Sequence, residues 1–244
     1  MITLKFLKYP ILAFALAVST CAFGAVNRPK VEKPDLEKIK TESTDPDSRY
    51  YYPRLLKMFM SNDTVMTDDD YRYFYYGTLF QEDFDPYREP VDAERLNKIE
   101  PLYYKNEHTI AEKDMMMQYA QEELANNPVD LVQLKNLVYV YEKKAKVNLA
   151  KIWKHKLNHL LLTIASSGTG ADTDNAWIVV YPRHEYDFLN LSGLTAQAQE
   201  FVPPYYERIS VQPKSDKDPS AYYFDIHSLL EQYYLKHPGE MAEQ

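Results

Sequence analysis

Only 6 of the 244 residues are glycine, about a third of the usual ~7% share. A chain so poor in glycine has little material for phosphate-cradling loops, or for the many tight turns of a β-sandwich or barrel. Helix is therefore the favoured architecture. The composition is otherwise that of a globular protein, 45% hydrophobic and 26% charged, except that tyrosine occurs 22 times.

Residues 1–24 read as an export signal. Lys5 and Lys8 form a charged start, Ile11 to Val18 is an unbroken apolar run, and Ala22-Phe23-Gly24 supplies small residues around a cut, so the mature chain begins near Ala25. The run is far shorter than the ~20 residues of a spanning helix. No later segment approaches that length, so no transmembrane segment is expected and the mature protein is periplasmic or secreted. Cys21, the only cysteine, opens a second route in which Val18-Ser19-Thr20-Cys21 is a lipoprotein cut site and Cys21 is acylated. Thr20 fits poorly before such a cut, and cleavage after Gly24 is preferred. Either way the folded body has no disulfide and depends on its core. The net charge of -8 becomes more acidic once Lys5 and Lys8 are removed. With no Lys/Arg stripe, such a surface repels phosphate backbones, so nucleic acid is not an expected partner.

Residues 25–52 are polar, with a short helix expected at Asp35 to Lys40 and the rest a tether. Residues 53–168 carry helical signals. Pro53 suits a first turn, and Thr67-Asp68-Asp69-Asp70 caps a helix whose Tyr71, Phe74, Tyr75 and Leu79 form a buried stripe. Helices are expected at Asp92 to Ile99, Ile110 to Asn126, Asp130 to Lys143 and Val147 to Ser166, the last stopping at Gly168 as a left-handed cap. Asn127-Pro128-x-Asp130 followed by Leu134, Leu137, Val138, Tyr141, Ala150 and Trp153 resembles one tetratricopeptide repeat. Val138 stands where that family usually has a small glycine, and the turn Lys144-Ala145-Lys146 lacks one.

Residues 169–244 change character. Strands are expected at Trp177 to Tyr181, Tyr206 to Val211 and Ala221 to Phe224, with helices at Glu185 to Leu191 and His227 to Leu235. The expected fold is mainly α, an irregular helical bundle with a tetratricopeptide-like hairpin and a small three-stranded α+β cap packed on it as one unit.

The landmarks Tyr50-Tyr51-Tyr52-Pro53-Arg54-Leu55, Tyr71-Arg72-Tyr73-Phe74-Tyr75-Tyr76-Gly77 with Asp85-Pro86-Tyr87, Ser167-Gly168-Thr169-Gly170 leading into Ala176-Trp177-Ile178-Val179, His184-Glu185-Tyr186 and Tyr223-Phe224-Asp225 span most of residues 34–235. In that order they resemble an uncharacterised family of secreted Bacteroidota proteins, domain of unknown function 4919. The resemblance implies no activity, so no catalytic residue is carried over from it.

Candidate chemistry is sparse. His155 and His159, four apart on a helix, could face one metal, but no glutamate lies between them and no third ligand is evident, so neither a metal nor a cofactor is expected. Asp172, Asp174 and Asn175 begin like a calcium loop and lack its closing glutamate, which leaves a solvated turn. There is no Gly-x-Ser-x-Gly, and Ser167, His184 and Asp187 do not amount to a triad. Glu82 with Asp83 and Asp85, or Glu185 with Asp187, would serve a glycosidase only at the right separation.

Adjacent tyrosines on one helix or strand cannot all point inward, so some rings must reach the surface or an internal seam. Tyr73, Tyr76, Tyr87 and Tyr103 are the candidate contact residues, since such rings bury much area for little rotamer loss. The function read from this is a non-catalytic binding or scaffolding module of the cell envelope, with a protein, peptide or glycan as partner. A carboxylate-dependent hydrolase acting between helices and cap, and a purely structural protein, are the competing readings.

Overall fold

The computed structural model describes residues 30–61 and 65–239, so the export segment and Cys21 lie outside the described residues. Local chemistry sets the helix starts. Asp35 caps α1 (Leu36–Thr44) through the Lys38 amide at 3.0 Å, and Pro53 sits in the first turn of α2 (Tyr52–Met60), where its missing N–H has no partner to lose. Reciprocal capping boxes open α3 (Asp68–Gly77, from Thr67 and Asp70) and α5 (Ile110–Asn126, from Thr109 and Glu112). Asp92 caps α4 (Ala93–Ile99) and Asp130 caps α6 (Leu131–Lys143).

Helix α6 turns into α7 (Val147–Ser166) through Ala145, which adopts a left-handed φ of 55°. An alanine thus fills the place expected of a glycine, at a cost of about 1–2 kcal/mol. The two helices form an antiparallel hairpin, with Ala150 and Trp153 buried between them and the rest of the body.

Beyond α7 the chain forms a mixed sheet in the order β1-β4-β3-β2, from β1 (Trp177–Ile178), β2 (Ala196–Val202), β3 (Tyr206–Val211) and β4 (Ala221–Asp225). Strand β1 runs parallel to β4 and the other pairs are antiparallel. Helix α8 (Arg183–Leu191) lies between β1 and β2, and α9 (His227–Lys236) follows β4.

The sheet has four strands, not the three expected. Strand β2 reads Ala-Gln-Ala-Gln-Glu-Phe-Val and is exposed along most of its length, so it carries no alternating pattern; its pairing with β3 is what makes it a strand. Strand β1 stops at Ile178, and Val179 to Tyr181 form a buried bend into α8. Helix α1 continues to Thr44 and buries Ile39 and Ser43, so this part of the presumed tether belongs to the body. Gly168 is not left-handed; Gly170 is, at φ 69°. What Gly168 supplies is space, because a Cβ there would overlap the carbonyl oxygen of Asn175 and lie 2.5 Å from that of Ala176.

The core is centred on α3. Tyr71, Phe74, Tyr75 and Tyr76 are all at most 1% exposed. From Tyr71 to Gly77 every residue of α3 except Arg72 is buried, because the helix is enclosed by α1, α2, α7 and the bend after β1. The same apolar cluster runs from Leu55 and Phe59 through Leu137 and Leu160 to Phe188, Ile209 and Phe224. Helical region and cap therefore share one core. No helix among the described residues is long and apolar enough to cross a membrane.

Candidate functional site

The bend at Val179 to Pro182 delivers α8 into the junction between cap and body, and with it the polar residues Arg183, His184, Glu185 and Asp187 of its first turns. His184 is fully buried, its Nδ1 2.8 Å from the Tyr75 hydroxyl, and burial holds its pKa well below the usual imidazole range. Arg183 reaches Asp130 at 3.1 Å, and Asp130 also accepts from the Gln133 amide. Asp187 stands 3.8 Å from Arg183, and desolvation raises its carboxyl to about 7 against the pull of that guanidinium.

Beside this junction a cleft opens between the 86–90 loop, the C-terminal end of α5 and the start of α6, lined by Arg88, Tyr119, Glu123, Asp130, Tyr181 and Arg183. Its buried carboxylates, Asp130 and Glu123, are both engaged. Glu123 accepts from the Tyr119 hydroxyl at 2.7 Å and from the Val91 amide at 2.8 Å. Arg88 is spent on Asp83, at 2.9 Å to its carboxylate, and on Asn126, whose carbonyl lies at 2.5 Å. The free volume is about 60 Å³, room for a few waters but far below the ~300 Å³ at which small-molecule sites begin.

The candidate residues do not converge. Ser167 donates to the Ile164 carbonyl at 2.7 Å and accepts from the Ile178 amide at 2.9 Å, while His184 is committed to Tyr75, so no nucleophile and base meet. Glu185 and Asp187 are two residues apart on one helix and face different neighbours, the sheet and the α6 side. Asp83 holds Arg88, and Asp85 accepts from the Tyr87 amide in a turn. Asp172 accepts both the amide and the side-chain nitrogen of Asn175, at 2.9 and 2.8 Å, so the loop's oxygens serve the loop. The rings of His155 and His159 lie 4.2 Å apart, with His159 Nδ1 2.8 Å from Asp68; among the described residues no three His, Cys, Asp or Glu side chains form a metal-holding group.

Of the four candidate tyrosines, two are core residues. Tyr73 stacks on Tyr50 at 3.7 Å and is buried, and Tyr76 lies beneath the bend with its hydroxyl donating to the Ile178 carbonyl at 3.3 Å. Neither presents a contact surface, because α3 is covered on the sides where their rings lie. Tyr103 is half-buried against Gln133, and burial pushes its phenol to about 12. Tyr87 is the outward one, 54% exposed and edge-on to Tyr233 at 5.0 Å. Tyr233 in turn stacks on His237 at 4.4 Å. The i, i+4 spacing of Tyr233 and His237 was the available signal for this group, but its meeting with Tyr87 depends on Lys236, whose ammonium donates to the carbonyls of Gln81, Glu82 and Phe84 at 3.1, 2.8 and 2.8 Å.

The model of one family matches residues 37–235. The chain belongs to the family described as a domain of unknown function, DUF4919. The match covers body and cap together, from α1 to α9, in keeping with their common core. No curated protein and no solved structure matches the chain, so DUF4919 membership brings a fold boundary and no chemistry.

Proposed function

We propose that this DUF4919 protein is an exported, non-catalytic binding module of the cell envelope that meets a protein, peptide or glycan partner through Tyr87, Tyr233 and His237. The export part rests on residues 1–24 of the sequence. One observation carries the binding part: the buried polar groups of the cleft are turned on one another in a space of about 60 Å³, whereas the Tyr87 ring stands outside the core and open to solvent. Rings at a surface recognise partners through area and edge contacts with little entropy lost on ordering.

The test is affinity capture from envelope extract with the wild-type protein and with Tyr87→Ala/Tyr233→Ala as baits, both checked for a native melt. The reading expects a defined set of partners recovered by the wild type and lost with the variant. Equal recovery by both baits would remove these rings as the contact surface, and turnover of a glycan or peptide in the same extract would favour the hydrolase.

A further inference from the structure

Glu185 is wholly buried, and no N–H or hydroxyl among the described residues donates to either of its carboxyl oxygens; their one polar neighbour is a second carboxyl, that of Glu207, with which a hydrogen bond forms only through a shared proton. Opposite it, across the space between α8 and the sheet, stands Glu207. Alternation along β3 puts Glu207 on the same face as the buried Ile209 and Val211, so it points at α8 and not away from it. Gln199 on the neighbouring strand completes the group. Its amide nitrogen donates to Glu207, and its amide oxygen accepts from the Tyr186 hydroxyl at 3.2 Å. Among the described residues neither Glu185 nor Glu207 forms an ion pair with Lys, Arg or His.

A fully buried carboxyl facing a second, half-exposed one, with no basic side chain between them, is a costly arrangement unless something positive fills the gap. Burial and the neighbouring Glu207 both hold the Glu185 carboxyl well above the usual range. A single shared proton would meet part of the need, but a protonated carboxyl has one O–H to donate and leaves an oxygen of Glu185 orphaned in the interior. A cation bound by both oxygens of Glu185 satisfies them together. Every donor present is a hard oxygen, and there is no sulfur or imidazole, which selects the calcium and magnesium class over zinc or copper.

We propose that Glu185 and Glu207 form a divalent-cation site of the calcium type, which fastens the β2–β3 hairpin to α8, with the Gln199 amide holding Glu207 in place. The carboxyls supply two negative charges to match the ion, and water entering from the half-exposed Glu207 side completes the coordination. The ion is structural. It adds a tie between α8 and the β2–β3 hairpin to the apolar core they already share, and, resting on the export reading above, the protein would meet calcium at the concentrations such sites need.

Chelator-treated wild type, Glu207→Gln and Glu185→Gln are melted at pH 7.5 with rising calcium chloride, and magnesium chloride at equal ionic strength serves as the comparison. The wild-type midpoint should rise and saturate, calorimetry should count one calcium per chain, and the dissociation constant should fall roughly between 10⁻⁴ and 10⁻³ M, as in extracellular calcium modules. The shift should vanish in Glu207→Gln, a half-exposed substitution that leaves the fold intact even where Glu185→Gln does not. An unmoved wild-type midpoint, with Glu207→Gln at least as stable as wild type, would overturn the site in favour of a shared proton. An equal calcium response in wild type and Glu207→Gln would overturn it by placing the ion elsewhere.

Discussion

The Tyr75 hydroxyl stands 2.8 Å from Nδ1 of His184, joining α3 in the helical body to α8 in the cap. The same hydroxyl accepts the Val180 amide at 3.3 Å, so its own proton is directed at Nδ1 and the imidazole is the neutral tautomer protonated on Nε2. Replacing Tyr75 with Phe removes this hydroxyl and leaves an N–H and a ring nitrogen unpaired in the interior. Each group should cost about 1–3 kcal/mol, measured as a lowered urea midpoint. A variant as stable as wild type would show that the hydroxyl does not hold the cap.

The α8 groups give stability an unusual pH dependence. His184 has a depressed folded pKa, so protonation favours the unfolded chain and stability falls as pH drops below the unfolded imidazole value of about 6.5. Asp187 has the opposite sign. Its folded pKa of about 7 lies above the unfolded value near 3.8, so its contribution is fully present below the unfolded value and is lost as pH rises through 7. Asp187→Asn separates the two. The stability of wild type relative to this variant should grow as pH falls from 7.5 to 5, by at most about 1.4 kcal/mol per unit, and parallel curves would refute the assignment.

Gly168 is held by sterics and not by φ. Gly168→Ala places a Cβ against two main-chain carbonyls that no rotamer change can relieve, and the expected loss is about 1–3 kcal/mol. Gly239→Ala, where no atom lies within 4 Å, should change stability by less than about 0.5 kcal/mol. Thermal melts of the pair decide it, and equal midpoints would remove close packing as the reason for glycine at 168.

Core and surface tyrosines should part company. Tyr76→Ala empties a site that is 1% exposed and should cost about 3–5 kcal/mol, so its loss of binding would say nothing about contact. Tyr87→Ala should cost under about 1 kcal/mol. Chemical denaturation of both variants checks the contrast, and similar losses would mean that Tyr87 belongs to the core.

The helical part of this fold was legible because its punctuation is chemical. Pro53, the Thr67 and Thr109 caps and Asn127-Pro128 mark element ends by mechanisms that act within one turn. Strand β2 was not legible, since an exposed Gln/Ala strand owes its existence to a partner some ten residues on. The inward fate of Tyr73 and Tyr76 escaped for a related reason. Adjacent rings on a helix point different ways, and only the tertiary structure shows that each direction is covered. The α8 cluster was hidden too, because Glu185 and Asp187 look like a pair in sequence and belong to different neighbours in space.

Amide hydrogen exchange of the wild-type protein with and without its captured envelope partner tests the central claim most directly, because it reports which surface is covered. The account predicts added protection in residues 81–88 and along α9, where Tyr87, Tyr233 and His237 meet. Protection confined to the cleft, at residues 88–91, 123–130 and 183, would contradict it and make those carboxylates the working site.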